Sequence, residues 1–206
     1  MLGDLVVAGC LIAEEKESGF KELGVKDSKL LTPKEREKLY VDIVKESKYE
    51  IIPISAEEID ERNKVGCNLN KLECIKMAQI INALNPDKVI IDCPHPIPEK
   101  FEREIASYVV NKKTKIVAEH KADFNYPVVG AASILAKVTR DRRLRDIEKV
   151  LGIELGSGYP HDPKTREVIK NAVGNNSKEL HKYIRHSWST YKDEKKMAEQ
   201  KKMADF

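Results

Sequence analysis

Two carboxylates in this sequence, Asp92 and Asp123, stand where they could do chemistry. Asp92 closes the apolar run Lys88-Val89-Ile90-Ile91. A carboxylate at the end of a core-facing strand is costly to desolvate unless it is paired or holds a metal, although the same position also suits a turn or helix cap. Asp123 lies just ahead of Tyr126-Pro127, where a long small-residue helix is expected to begin. A helix N-terminus favours an ionised carboxylate and attracts phosphate, and an ordinary N-terminal cap carries the same signature. Taken together, two acids at the ends of neighbouring strands can share a hard divalent cation, an arrangement suited to cleaving phosphodiesters.

Other residues suggest a polyanionic substrate more weakly. His120 and Lys121 flank Asp123; the histidine is either structural or a proton carrier, and the lysine either meets phosphate or is solvated. Tyr159 lies in the loop GSGYPHDP, Gly156 to Pro163, where its ring either stacks on a sugar or base or anchors the loop. Lys137, Arg140, Arg142, Arg143 and Arg145 crowd one helix half, with Lys112, Lys113 and Lys115 nearby in sequence. They either neutralise phosphates or form a solvated face balanced by Asp141 and Asp146. The net charge of the chain is only +3, so nucleic-acid binding must rest on such local patches.

The elements that must position these groups follow from periodicity. The 206 residues, 41% hydrophobic and 34% charged, suit a soluble globular chain with a core of its own. A strand is expected over Leu5 to Ile12, and a polar loop over Leu23 to Leu31. Thr32-Pro33-Lys34-Glu35 has the capping-box pattern and opens a helix to about Ser47. Strand Tyr49–Ile54 and a short helix from Ser55 come next. Leu72, Ile75, Ala78 and Ile81 then mark a helix over Asn70 to Leu84, stopped by Asn85-Pro86. Lys88 to Asp92 reads as a buried parallel strand, Phe101 and Ile105 as a helix, and Thr114 to Ala118 as the next strand. The long helix carries Ala131, Ile134, Val138, Leu144 and Ile147 on one face and ends at Gly152. A further helix opens at Pro163, a last one spans about Leu180 to Trp188, and a charged tail begins at Lys192. Alternating strands and helices define an α/β class with a parallel or mixed sheet, whose sites form beyond the strands' carboxyl ends. No apolar run reaches the length of a membrane span, and no signal peptide is evident. The four cysteines fit no zinc spacing and read as reduced, hydrophobic thiols.

The ordered motifs AEHKAD-x-x-YPVV-x-AASI-x-AKV-x-RD, GVKDSK at Gly24 to Lys29, IIDCP at Ile90 to Pro94, GSGYPHDP and RHSW at Arg185 to Trp188 resemble ribonuclease HII, its archaeal branch above all. The resemblance runs from about Leu2 to Trp188. It implies a ribonuclease H-like fold: a mixed sheet flanked by helices over residues 1–150, a helical C-terminal extension over 151–191, and a tail over 192–206. The implied activity is endonucleolytic cleavage of the RNA strand of RNA–DNA hybrids, and of single ribonucleotides in duplex DNA, leaving 5′-phosphate and 3′-hydroxyl ends. Two Mg²⁺ or Mn²⁺ ions would activate water and stabilise the leaving oxygen. Asp92 and Asp123 match metal-holding catalytic carboxylates, Tyr159 the tyrosine that stacks on the sugar at the DNA–RNA junction, and Lys29 a lysine that faces phosphate, with Lys121 a further substrate contact. A cytoplasmic monomer is expected.

The resemblance departs at the start, because the family's first strand and its D-E-A-G-R-G motif have no counterpart before Leu5, and Asp4 is no substitute. Two divalent ions ~4 Å apart repel by ~17 kcal/mol at an effective dielectric of ~20, and two carboxylates offset less of this than four. A metal pair is therefore expected to bind poorly. Loss of the family's central first strand would also leave two buried strands with unpaired backbone groups, so a truncated sequence with a late start relative to the family is expected. The alternative function is a degenerate homologue that binds nucleic acid or a sliding clamp without cleaving. The end of the chain supplies the clamp reading: Gln200, Met203 and Phe206 have the spacing of a peptide that plugs an aliphatic and an aromatic side chain into a clamp pocket.

Overall fold

Apolar runs and amphipathic repeats become four strands and ten helices among the described residues of the computed structural model, which describes residues 2–25, 31–175 and 178–204. The chain divides into two compact units. One comprises Val6–Ile52 and Asn68–Thr139; the other comprises Met1–Leu5, Pro53–Cys67 and Arg140–Phe206.

The first unit carries the strands. β1 (Leu5–Leu11) pairs with β2 (Lys48–Ile54), and β3 (Lys88–Asp92) pairs with β4 (Lys115–Glu119). Between them run α1 (Glu17–Glu22), α2 (Pro33–Glu46), α4 (Leu69–Leu84) and α5 (Pro98–Tyr108); after β4 come α6 (Ala122–Asn125) and the start of α7 (Pro127–Leu151). The expected capping box closes α2: Thr32 Oγ1 accepts the Glu35 N–H, and the Glu35 carboxylate accepts the Thr32 N–H at 2.7 Å. Asn85, left-handed at φ 47°, ends α4 before Pro86, as its sequence anticipates.

Two hydrophobic clusters fill this unit. Cys74, Ala78 and Ile81 of α4 pack with Ile91, Cys93, Phe101, Ile105 and Ala118. Phe20, Ile43, Ala131, Ile134, Leu135 and Val138 form the other, with Cys10, Ile12 and Ile51 against it. All four cysteines are free thiols, as expected. Burial pushes the Cys10 thiol up to about 11 and the Cys74 thiol up to about 12, so both behave as small hydrophobes.

The structure corrects the expectation of buried strands. β1 contains no buried residue and β3 buries Ile91 alone.

The second unit holds α3 (Ala56–Glu61), the second half of α7, α8 (Pro163–Asn175), α9 (Lys178–His181) and α10 (Ser189–Ala204). Its core is Leu2, Leu144, Ile147, Leu155, Val168, Ile169, Ala172, Leu180 and Ile184. The helix expected over Leu180 to Trp188 is not found. The chain leaves α9 at His181, Ile184 forms an antiparallel bridge with Leu2, and the Gly3 N–H donates to Tyr183 O at 2.9 Å. Pairing with the N-terminal segment, and the bond from Arg185 Nε to Gly3 O at 3.0 Å, hold this stretch out of helix. Helix resumes at Ser189 and continues to Ala204 through the stretch read as a charged tail. Asp60 of α3 accepts the backbone N–H groups of His186 and Ser187 at 2.8 and 2.9 Å. Burial opposes its ionisation, but these bonds outweigh burial and hold its carboxyl below the ordinary value.

In the first unit Gly9 of β1 lies against the α4 side chains Ile80 and Leu84. A Cβ there would stand 2.4 Å from Ile80 Cγ2 and 3.2 Å from Leu84 Cδ1. Gly9→Val should therefore lower stability by about 1–3 kcal/mol, measured by denaturant unfolding.

Candidate active site

The site is built where two parallel strands end together. β3 and β4 pair in register from Lys88↔Lys115 to Asp92↔Glu119, so both strands finish on an acid at the same level. The ladder takes one further step, with the Cys93 N–H donating to Glu119 O at 2.9 Å. His120 then turns back. Its Nδ1 lies 3.1 Å from the Cys93 carbonyl, which can only accept, so that nitrogen carries the proton.

The chain reverses at Lys121, which is left-handed at φ 60° without being glycine. A side-chain-bearing residue held there costs about 1–2 kcal/mol, and such strain persists only where the surroundings enforce it. Here the enforcement is visible. The turn aims the Ala122 N–H at Asp92 Oδ1, 3.1 Å away, while the Phe124 N–H bonds Lys121 O at 3.0 Å. Asp123 follows in the first turn of α6, only 7% exposed. Asp92 and the turn that carries Asp123 thus meet at the carboxyl end of β3 and β4. One premise is corrected: Asp92 is exposed, so its role cannot be argued from the cost of burial. The side chain of Lys121 is exposed, and Lys29 lies outside the described residues.

Two residues of this constellation escaped the sequence reading. Glu119 ends β4 as Asp92 ends β3, and its Oε1 accepts the Tyr126 hydroxyl at 3.0 Å. That bond, with lesser help from burial and nearby acids, raises the phenol above its ordinary value and spans the Asp123 turn from strand end to helix start. The signal was present as a parallel: KVIID and KIVAE both run apolar and stop on an acid. Phe124, 68% exposed beside Asp123, is the other.

Tyr159 lies in the second unit, in a loop whose geometry is enforced from several sides. Gly156 and Gly158 both adopt φ 74°. Asp162 accepts the Ser157 N–H and, at 3.0 Å, the Lys164 N–H. The fully buried Thr165 hydroxyl accepts the Gly158 N–H at 2.9 Å, and its own proton lies between Leu155 O at 2.9 Å and Asp162 at 3.2 Å. The basic helix half is engaged internally as well. Arg140 pairs with Asp141 at 2.9 Å and Arg143 with the buried Asp4, while Lys149 meets Asp146 at 3.0 Å.

For a metal, the donor set is small. Among the described residues no group of three or more His, Cys, Asp or Glu is placed to hold an ion. Asp92 and Asp123 offer hard oxygen donors, and one or two carboxylates with water and substrate phosphate suffice for a single Mg²⁺-like ion.

Helices around short strands, with acids gathered at the strands' carboxyl ends, define a ribonuclease H-like α/β protein. The family described as Ribonuclease HII matches residues 1–191. A ribonuclease HII of Methanothermobacter thermautotrophicus is 42% identical over 198 residues, covering 95% of this chain and 93% of that protein. The crystal structure of the ribonuclease H2 from Pyrococcus horikoshii superposes with a TM-score of 0.84 at 34% identity, covering 95% of this chain and 92% of that one. A PCNA:RNase HII complex from Archaeoglobus fulgidus matches with a TM-score of 0.78 at 40% identity, over 85% of this chain and 82% of that one. The chain belongs to the ribonuclease HII family, and its activity is that of a ribonuclease.

Asp162 gives a pH signature. The bonds from Ser157 lead those that hold its carboxyl down to about 2, against an ordinary value of 3.8. A carboxyl depressed in the folded state contributes stability above its ordinary value and loses it as pH falls towards about 2. Asp162→Asn should therefore flatten the acid limb of a melting-temperature profile below about pH 4 and lower its neutral plateau.

Proposed function

We propose that this chain is an endonuclease that cleaves the RNA strand of RNA–DNA hybrids and single ribonucleotides embedded in duplex DNA, leaving 5′-phosphate and 3′-hydroxyl ends. The observation that carries the site assignment is the in-register end of β3 and β4, where the Ala122 N–H bridges the Asp123 turn to Asp92. Asp92 and Asp123 would hold a hard divalent cation, Mn²⁺ or Mg²⁺, with water and a substrate phosphate oxygen completing its shell. Such an ion supplies Lewis-acid stabilisation of the charge that develops on the phosphodiester. The residues around it do the positioning. Asp92 is oriented by the Ala122 N–H, Asp123 is fixed by the strained turn at Lys121, and Tyr126 restrains Glu119. Tyr159 contributes a ring for the sugar at the junction, and Lys121 and Lys29 contribute cations for flanking phosphates.

A second reading rests on the small donor set: a degenerate homologue that binds nucleic acid or a clamp without cleaving. One assay separates the two. A DNA duplex carrying one ribonucleotide should be cut in the presence of Mn²⁺, and excess chelator should stop the reaction. Asp92→Asn should reduce cleavage by at least about a hundredfold. Retained binding without any cleavage by the unaltered chain would favour the degenerate reading.

The partner reading extends to a sliding clamp, through Gln200, Met203 and Phe206. The related clamp complex supports it, and Gln200 is exposed on α10, whereas Met203's side chain and Phe206 lie outside the described residues. Phe206→Ala should abolish capture of the chain by an immobilised clamp, and unchanged capture would remove this assignment. A monomer in a reducing, cytoplasmic compartment completes the proposal, in keeping with the four free thiols. Among the described residues no helix is long and apolar enough to cross a membrane.

A further inference from the structure

We propose that Arg140 is a positioning residue for Tyr159, holding the aromatic ring in the orientation in which it meets the nucleic acid. The proposal rests on Tyr159 being a substrate contact and assigns a residue through which that contact is prepared.

Arg140 uses its guanidinium in three directions at once. Its Cζ lies 3.9 Å from the centroid of the Tyr159 ring. In the plane of the group, Nη1 donates to Asp141 Oδ1 at 2.9 Å and Nη2 donates to the Ser157 carbonyl. A planar fork can bond at its edge while its face stacks; an ammonium group cannot do both. The loop is shaped to admit it, since a Cβ on Gly158 would stand 2.7 Å from Arg140 Nη2. The ring is also stacked with His161, at 5.6 Å between centroids with 15° between planes.

Two features separate positioning from direct phosphate binding. The Arg140 side chain is only 12% exposed, and Nη1 and Nη2 are engaged by Asp141 and the Ser157 carbonyl, so its charge reaches substrate through the tyrosine. The backbone of the loop has independent support in Asp162 and Thr165. Altering Arg140 should therefore loosen the ring while the loop and the unit stay folded.

The test measures binding in the presence of chelator, so it does not depend on turnover. Dissociation constants of the full chain are determined for a DNA duplex carrying one ribonucleotide, with Arg140→Lys, Arg140→Gln, Tyr159→Ala and the Arg140→Gln/Tyr159→Ala double variant. Both arginine variants should weaken binding by about three- to tenfold, the range of a partly desolvated cation–π contact. The double variant should bind no more weakly than Tyr159→Ala alone. Wild-type binding by Arg140→Lys, or additive losses in the double variant, would show the charge acting on phosphate directly and would overturn the proposal. Unchanged binding by Tyr159→Ala would overturn the substrate-contact reading beneath it, and the two failures are thus told apart. Arginine variants that are unfolded at the assay temperature, judged by circular dichroism, would show a structural role and also count against it.

Discussion

The bond from the Ala122 N–H to Asp92 Oδ1 is the constraint on which the site depends. It joins the end of β3 to the turn after β4, and it exists because three conditions are met together. The strands must be parallel and in register, so that they end at one level. Lys121 must accept a left-handed conformation, so that the next amide points back across the strand end. Asp123 must follow immediately, so that the turn that orients Asp92 also fixes the second acid. A one-residue slip in the pairing would turn the acids to opposite faces. The strain at Lys121 is thus offset by a geometry that neither strand could supply alone.

The two acids differ in environment as well as origin. Asp92 is exposed with one oxygen oriented by an amide, whereas Asp123 is buried in a short helix. Glu119 stands level with Asp92 but is tied to Tyr126, which turns it towards a structural partner. The hydrogen bonds accepted by Asp92 and Glu119 thus orient two neighbouring acids differently. The Tyr159 loop reverses the pattern, because there a nearly buried cation is neutralised by Asp141 and spread over an aromatic face. Around it, Asp162 and Thr165 saturate the backbone polar groups of a turn that two left-handed glycines make possible. Both places are small frameworks whose rigidity comes from satisfied polar groups as much as from hydrophobic packing.

Much of the local structure was legible in the chain. Thr32 to Glu35 foretold its cap, Asn85-Pro86 its stop, and the apolar repeats of α4 and α7 the buried faces, because caps and periodicity are decided by neighbours in sequence. The misreadings have a common cause. Residues 180–188 have helical spacing, yet Leu2 and Gly3 claim Tyr183 and Ile184 for an extended pairing that arrives from the far end of the chain. The charged stretch from Lys192 lacks a strong apolar face, yet it lies within a helix whose first turn sets Tyr191 against the second unit's core. In each case tertiary contacts overrode local preference.

At the site the division is similar. The ordered motifs alone determined the ribonuclease HII family, and strand-end placement alone singled out Asp92 and Asp123, because residue types at fixed spacing are local information. Only the tertiary structure decided that β3 and β4 end in register, that Glu119 and Tyr126 belong beside them, that Asp92 is exposed, and that Arg140 lies on the Tyr159 ring. Each of these is a meeting of groups distant in sequence, and its geometry is fixed by pairing and packing that no local pattern encodes.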